Sequence, residues 1–201
     1  MKSGKGRILS VFDLIAPVYG LFFGYQKSRY LNILNRMSGQ IFTSTNLSVL
    51  DIGCGTGALC AVFHELGYGV TGVDPSQNML DIASSKPENK NVTFLNASVL
   101  ERLPFPDKSF DVSIAAFVAH GLKSSEREVM YAEMRRVTKK LVILNDYNDT
   151  RAMTTSVIEW LERGDYFNFI KVVKKELMKS FGHLRVVDVD KRAAWYICSL
   201  D

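Results

Sequence analysis

Val49-Leu-Asp-Ile-Gly-Cys-Gly-Thr-Gly57 decides how the rest of this 201-residue chain is read. It begins as a short apolar run, the pattern of a strand buried on both faces. It ends in a Gly-x-Gly-x-Gly turn made of Gly53, Gly55 and Gly57, and the apolar run Ala58-Leu-Cys-Ala-Val-Phe63 follows. The glycines therefore sit between a strand and a helix. Glycine reaches backbone angles closed to other residues and lets a ligand touch the main chain. The N-terminus of the following helix offers unpaired N–H groups. Together these features predict a nucleotide-like ligand at the carboxyl edge of a sheet.

Val70-Thr-Gly-Val-Asp74 reads as the next strand, ending in a carboxylate. An acid about 20 residues beyond such glycines is spaced to reach a ribose diol in doubly wound folds. Either feature alone is compatible with an ordinary strand end; the two in register favour the nucleotide.

Two cofactor classes use this geometry. Dinucleotide enzymes favour Gly-x-Gly-x-x-Gly, whereas here the third glycine comes one residue early and Asp51 precedes the loop. An acid there suits a ligand carrying an ammonium group better than one carrying a pyrophosphate. Asp51-Ile-Gly-Cys-Gly-Thr-Gly57 resembles motif I of the class I methyltransferases that use S-adenosylmethionine. Gly72-Val-Asp-Pro-Ser-Gln-Asn-Met-Leu80 resembles their second motif, and Leu103-Pro-Phe-Pro-Asp-Lys-Ser-Phe-Asp111 resembles the segment leading into their fourth strand. The likeness covers residues 48 to 145 and is nearest to the small-molecule, type 11 branch. It is specific for fold and cofactor and weak for substrate.

Along the chain, residues 1 to 7 read as a basic, frayed end. Residues 8 to 30 are apolar and aromatic, interrupted by Pro17 and Gly20. Phe12-Asp-Leu-Ile-Ala-Pro-Val-Tyr19 resembles the lead-in of quinone-type methyltransferases, where it folds over the cofactor as a lid; a fixed helical layer on the sheet is the other reading. A helix over 30 to 42 leads into the first strand. Further strands are expected at 92–95, 110–116 and 141–144, with helices at 58–66, 76–84 and 125–137. Ser76 is the expected N-cap of the second of these, and Ser125 with Glu128 an expected capping box for the third. Two more helices, 153–161 and 166–181, precede a hairpin of strands 184–189 and 194–198.

Alternating strands and helices mean an α/β, doubly wound, mostly parallel sheet with helices on both faces, while a hairpin is antiparallel. The resemblance implies seven strands in a Rossmann-like methyltransferase fold, with the last strand reversed between the fifth and sixth. One domain is expected over 1–201: an N-terminal lid or cover (1–45), a cofactor-binding core (46–148), and a helical insertion with the hairpin (149–201).

Composition excludes several classes. Hydrophobic residues make up 47% of the chain, enough for a sizeable core. No apolar run has the length to span a bilayer, so stable membrane insertion is not expected. The net charge of +4 does not call for nucleic acid. Cys54, Cys60 and Cys198 lack metal-ligand spacing, so no metal is expected, and three unpaired thiols suit a reducing cytoplasm. Lys171, Lys174, Lys175 and Lys179 read as a solvated helix face.

The resemblance also implies roles. Gly53, Gly55 and Gly57 admit the methionine part and ribose of S-adenosylmethionine, Asp51 favours its ammonium, and Asp74 accepts from the ribose hydroxyls. Met79 packs near the adenine, Ser98 stands where the family often has an adenine-binding acid, and Val99, Ala115 and Tyr19 complete the cofactor contacts. His120 and Tyr147, at the ends of the fourth and fifth strands, are the catalytic candidates; a structural role for His120 stays open. Methyl transfer from a sulfonium needs alignment and exclusion of water more than it needs a base. Asn-Pro-Pro-Tyr, Asp-Pro-Pro-Tyr and Pro-Cys are absent after the fourth strand, which sets aside adenine, glutamine and cytosine as acceptors. A small, partly apolar methyl acceptor is what remains, with S-adenosylhomocysteine as coproduct and the oligomeric state open. The alternatives are a cofactor-binding regulatory or partner protein without transfer activity, and a nicotinamide-dependent oxidoreductase.

Overall fold

The computed structural model describes residues 20–42, 46–149 and 166–200. Its contacts divide the chain into two units, Met1–Ser98 and Val99–Asp201.

In the first unit the apolar run of the glycine motif becomes β1 (Ser48–Ile52), buried from Val49 onward. It pairs in parallel with β2 (Gly69–Asp74), Val49 opposite Val70 and Ile52 opposite Val73. Strand β2 pairs in parallel with β3 (Thr93–Asn96), Asp74 opposite Asn96. Helix α1 (Phe23–Ile41) precedes β1, and α2 (Ala58–Glu65) and α3 (Gln77–Ser85) make the crossovers. Six successive residues of α2, Ala58 to Phe63, are buried. A helix that is apolar on all sides needs cover on all sides, and α1 supplies part of it: Phe23 and Tyr30 pack against Ala58 and Ala61. Helix α1 starts earlier than the expected residue 30, so residues 23 to 30 form part of this helical layer. Lys27 pairs with Glu65 at 2.9 Å, and Lys86 lies 5.0 Å from the Phe23 ring. Of the two expected interruptions, Pro17 lies outside the described residues and Gly20 stands just before α1.

The second unit holds β4 (Phe110–Ala116), α4 (Ser124–Val137), β5 (Thr138–Tyr147), α5 (Tyr166–Phe181), β6 (Arg185–Asp190) and β7 (Ala193–Ser199). Strands β4 and β5 are parallel, Ala116 opposite Asn145. Strand β7 runs antiparallel to β5 and to β6. Within the second unit the strand order is β4-β5-β7-β6, so the reversed strand does lie between the fifth and the sixth.

Two local expectations are corrected. Helix α4 begins at Ser124, and it is Glu126, not Glu128, that accepts the Lys123 N–H at 2.9 Å. Strand β5 starts at Thr138 rather than 141, because α4 runs straight into it. The Thr138 hydroxyl donates to Met134 O at 2.6 Å and lies 2.7 Å from Ser113 Oγ, which fixes the helix end to β4. Fully buried Arg127 joins α4 to α5, its Nε and Nη2 donating to Glu176 at 2.8 and 3.0 Å. The expected helix at 153–161 lies outside the described residues. Among the described residues no helix is long and apolar enough to cross a membrane.

Candidate functional site

The glycine loop of the first unit is built by its backbone. Gly53, Gly55 and Gly57 have φ of 66°, 53° and 77°, all left-handed. The N–H groups of Gly53 and Cys54 both donate to Val73 O, at 2.8 and 3.1 Å, which holds the turn against β2. Asp74 completes that brace: its Oδ2 accepts from Gly55 N and its Oδ1 from Ser76 N, each at 2.9 Å. Ser76 caps α3 as expected, its Oγ accepting from Met79 N at 3.2 Å. Asp74 is thus a loop-ordering group as well as a candidate ligand acceptor, a double role that spacing alone does not reveal.

Behind the loop stands a residue that sequence reasoning missed. Residues 87 to 91 read as a polar loop, yet Asn89 is buried in a short 3₁₀ turn and donates to Gly57 O at 3.3 Å and Ala83 O at 3.0 Å. Pro87 at the start of that turn is the one signal that was available.

Asp51 is the electrostatic centre of this unit. It is 1% exposed, its Oδ2 accepts from the Cys60 thiol at 3.1 Å, and its Oδ1 meets no donor among the described residues. Burial pushes its carboxyl up to about 7; the Cys60 bond opposes the shift and the nearby Asp74 charge adds to it. The Cys60 thiol is raised well above its ordinary range, first by its own burial, so it remains a donor. A buried acceptor without a donor is costly unless a ligand supplies one. A Cβ built on Gly55 meets nothing within 4 Å, so there is room beside the loop. An orphaned carboxylate oxygen near a glycine turn with open space beside Gly55 fits a ligand carrying an ammonium group.

Of the other predicted contacts, Met79 is buried on the first turn of α3, and Ser98 is half-buried in the segment after β3. Val99 and Ala115 are buried in the second unit, Ala115 on β4 opposite Leu144. Tyr19 lies outside the described residues. The structure brings Asp51, the three glycines and Asp74 together in the first unit.

In the second unit it brings His120 and Tyr147 together, with Asp146 between them. His120 lies in a 3₁₀ turn, Ala119–Gly121. Its Nδ1 is 2.9 Å from Asp146 Oδ1, and its backbone N–H donates to Asp146 Oδ2 at 3.3 Å. Asp146 is fully buried, and its Oδ1 also accepts from Tyr147 N at 2.8 Å. The His120 and Tyr147 rings meet edge to face at 4.8 Å, and Phe117 meets the Tyr147 ring at 5.3 Å. Phe117 has φ of 56°, an unusual angle for an aromatic residue, and its N–H donates to Asn145 O at 2.8 Å.

Asn145 itself is 1% exposed, and neither atom of its carboxamide has a hydrogen-bond partner among the described residues. Its register neighbours are Ala116 and Trp195. Asn145→Leu is therefore expected to raise unfolding free energy by about 1–2 kcal/mol. Urea unfolding measures this; a loss of stability would mean that the amide has a partner in solution.

The chain matches the family model described as a methyltransferase domain over residues 49–140. It is 31% identical over 193 residues to the uncharacterized protein MJ1252 of Methanocaldococcus jannaschii, covering 93% of this chain and 68% of that one. It is 28% identical over 151 residues to the ubiquinone/menaquinone biosynthesis C-methyltransferase UbiE of Campylobacter jejuni, covering 69% of this chain and 61% of that enzyme. Its fold superposes with a TM-score of 0.73 on a putative S-adenosyl-L-methionine-dependent methyltransferase from Methanococcus maripaludis, at 16% identity, covering 94% and 93% of the two chains. The domain match runs from β1 into β5 and takes in both acids; the chain carries a methyltransferase domain with the fold of the class I S-adenosylmethionine-dependent methyltransferases.

Proposed function

We propose that the first unit holds S-adenosylmethionine through Asp51, Gly53, Gly55, Gly57 and Asp74, and that the methyl group goes to a small, partly apolar acceptor handled by His120 and Tyr147. Met79, Ser98, Val99, Ala115 and Tyr19 are the further cofactor contacts of this reading, and a cytoplasmic protein without nucleic-acid partners is its setting. The observation that carries it is the buried Asp51 oxygen without a donor beside a left-handed glycine turn. When bound, the cofactor supplies a methyl carbon already activated by a cationic sulfur. The protein's own work is then to bind, orient and keep out water. Asp51 offers its unpartnered oxygen to an ammonium group. Asp74 fixes the Gly55 N–H and is the candidate acceptor for hydroxyl donors in this reading. The likeness to a C-methyltransferase of quinone biosynthesis supports an acceptor with apolar surface.

Calorimetry with S-adenosylhomocysteine and with NAD tests the cofactor assignment. S-adenosylhomocysteine is expected to bind and NAD not. Asp74→Ala is expected to weaken S-adenosylhomocysteine binding at least about tenfold, since charge-assisted bonds are worth roughly 1.5–3 kcal/mol. An unchanged dissociation constant removes Asp74 from the site, and preferential binding of NAD removes the cofactor assignment.

A further inference from the structure

We propose that the exposed face at the start of α1 seats on an anionic lipid surface, with Leu21, Phe22 and Tyr25 entering the acyl boundary and the basic residues of the helix meeting headgroup phosphates. This goes beyond the methyl-transfer reading and does not depend on it.

The argument starts from the two faces of α1. Phe23, Ile33, Leu34 and Met37 are buried, and Phe23 packs against Ala58 and Ala61 of α2. The outward face of such a helix is expected to be polar. Along its middle it is: Ser28, Arg29, Asn32, Asn35 and Arg36 are exposed. At its start it is not. Leu21 is 84% exposed, Phe22 54% and Tyr25 63%. Among the described residues these are all the large hydrophobics that the first unit exposes. Gln26 N–H donates to Phe22 O at 2.9 Å, so Phe22 already follows the helical path. Residues three and four apart share a side of a helix, which groups Tyr25 with Phe22 and Leu21. Single exposed apolar residues are ordinary; three large ones grouped within one turn mark a contact surface.

Charge decides what sits on it. Helix α1 contains Lys27, Arg29 and Arg36 and no acid. The acids of the two helices beside it are engaged: Glu65 of α2 pairs with Lys27 at 2.9 Å, and Asp81 of α3 accepts from Gln77 Nε2 at 2.8 Å. A further cation stands at the apolar end, where Lys86 donates to Gly20 O at 3.4 Å and lies 5.0 Å from the Phe23 ring. Residues 1–19, which lead into this end, carry Lys2, Lys5 and Arg7 against Asp13 alone. An apolar tip flanked by cations matches the edge of a bilayer, which is apolar beneath and anionic above. A second copy of this face would set cation against cation. With three cations along its length α1 lies on the bilayer rather than across it.

The test is co-sedimentation of the full chain with vesicles of phosphatidylcholine alone and of phosphatidylcholine mixed with phosphatidylglycerol. Binding to the mixed vesicles is expected to be at least about tenfold tighter, since each basic residue at an anionic surface is worth about fivefold, and to weaken with added salt. Replacing the tip in one variant, Leu21→Ser with Phe22→Ser and Tyr25→Ser, should weaken that binding by about a hundredfold. The same variant should keep its Tm and its affinity for S-adenosylhomocysteine, because the three side chains are exposed. Tyr25→Trp should add tryptophan emission that bromine-labelled lipid quenches, which separates insertion of the tip from attraction of charge alone. Failure to bind the mixed vesicles, equal binding to both kinds, an unquenched Tyr25→Trp or unchanged binding by the serine variant each overturns the proposal. A dimer in sedimentation velocity that the serine variant loses assigns the face to a second copy and overturns it as well.

Discussion

Gly57→Ala is expected to lower the unfolding free energy by about 3–5 kcal/mol, while Gly55→Ala, two residues away in the same motif, costs only about 1–2 kcal/mol. Both glycines are left-handed, and an alanine there costs roughly 1–2 kcal/mol from its backbone alone. The difference lies in what a methyl group meets. At Gly57 it lands 2.5 Å from Asn89 Nδ2, 3.0 Å from the Phe94 ring and 3.1 Å from the Ala83 methyl; at Gly55 it meets nothing within 4 Å. Asn89 cannot step aside cheaply, because its amide bonds both Gly57 O and Ala83 O from a buried position. Overpacking adds about 1–3 kcal/mol and the displaced amide about 1 kcal/mol more. For a chain of this size that is a fall in Tm of about 10 °C. The order should reverse for ligand. A methyl on Gly55 projects into the open space beside the loop, so Gly55→Ala should bind S-adenosylhomocysteine markedly more weakly while remaining folded. Thermal melts and calorimetry on the two variants give both answers. Equal losses of stability would mean that the Asn89 contact carries no energy.

That contrast shows what the sequence could and could not convey. The alternation of apolar runs and glycines fixes strand order and connection, because a strand buried on both faces and a helix following a tight turn each have a pattern of their own. Asp51 and Asp74 were legible because they sit at strand ends at a spacing that a nucleotide demands. Asn89 was not: its work depends on a fold that brings residues 57, 83 and 89 together, and nothing local distinguishes it from a loop asparagine. Asp146 was not legible as the acceptor of His120 Nδ1, since the two are 26 residues apart and meet through the turn after β4. The start of α4 was misplaced because Ser125 is a good cap on paper, whereas the N-cap is Lys123, whose N–H donates to the Glu126 carboxylate. Cys60 read as an ordinary apolar helix position, and only its 3.1 Å contact shows that its thiol is the one described donor to Asp51.

Binding of S-adenosylhomocysteine is expected to strengthen about fifty-fold as pH rises from 5 to 7, with Asp51 as the cause. In the free protein burial holds the Asp51 carboxyl at about 7, against an ordinary value of 3.8. The folded chain therefore binds this proton more tightly than the unfolded chain does. Stability associated with the neutral carboxyl is fully present below the unfolded value and is lost as pH rises from about 4 to about 7. An ammonium group at the unpartnered Oδ1 reverses the preference, because the ionised form then gains a charge-assisted bond. If only the ionised form binds well, apparent affinity follows its population, roughly 1% at pH 5 and roughly half at pH 7. The ligand's own amino group stays charged across that interval, so the slope belongs to the protein. Calorimetry at pH 6 in buffers of different ionisation enthalpy should register release of about one proton for each ligand bound. Asp51→Asn should abolish both the slope and the proton release, and it should make the free protein more stable above pH 7. A wild-type affinity that is flat between pH 5 and 7, with no proton released, would place the ammonium group away from Asp51.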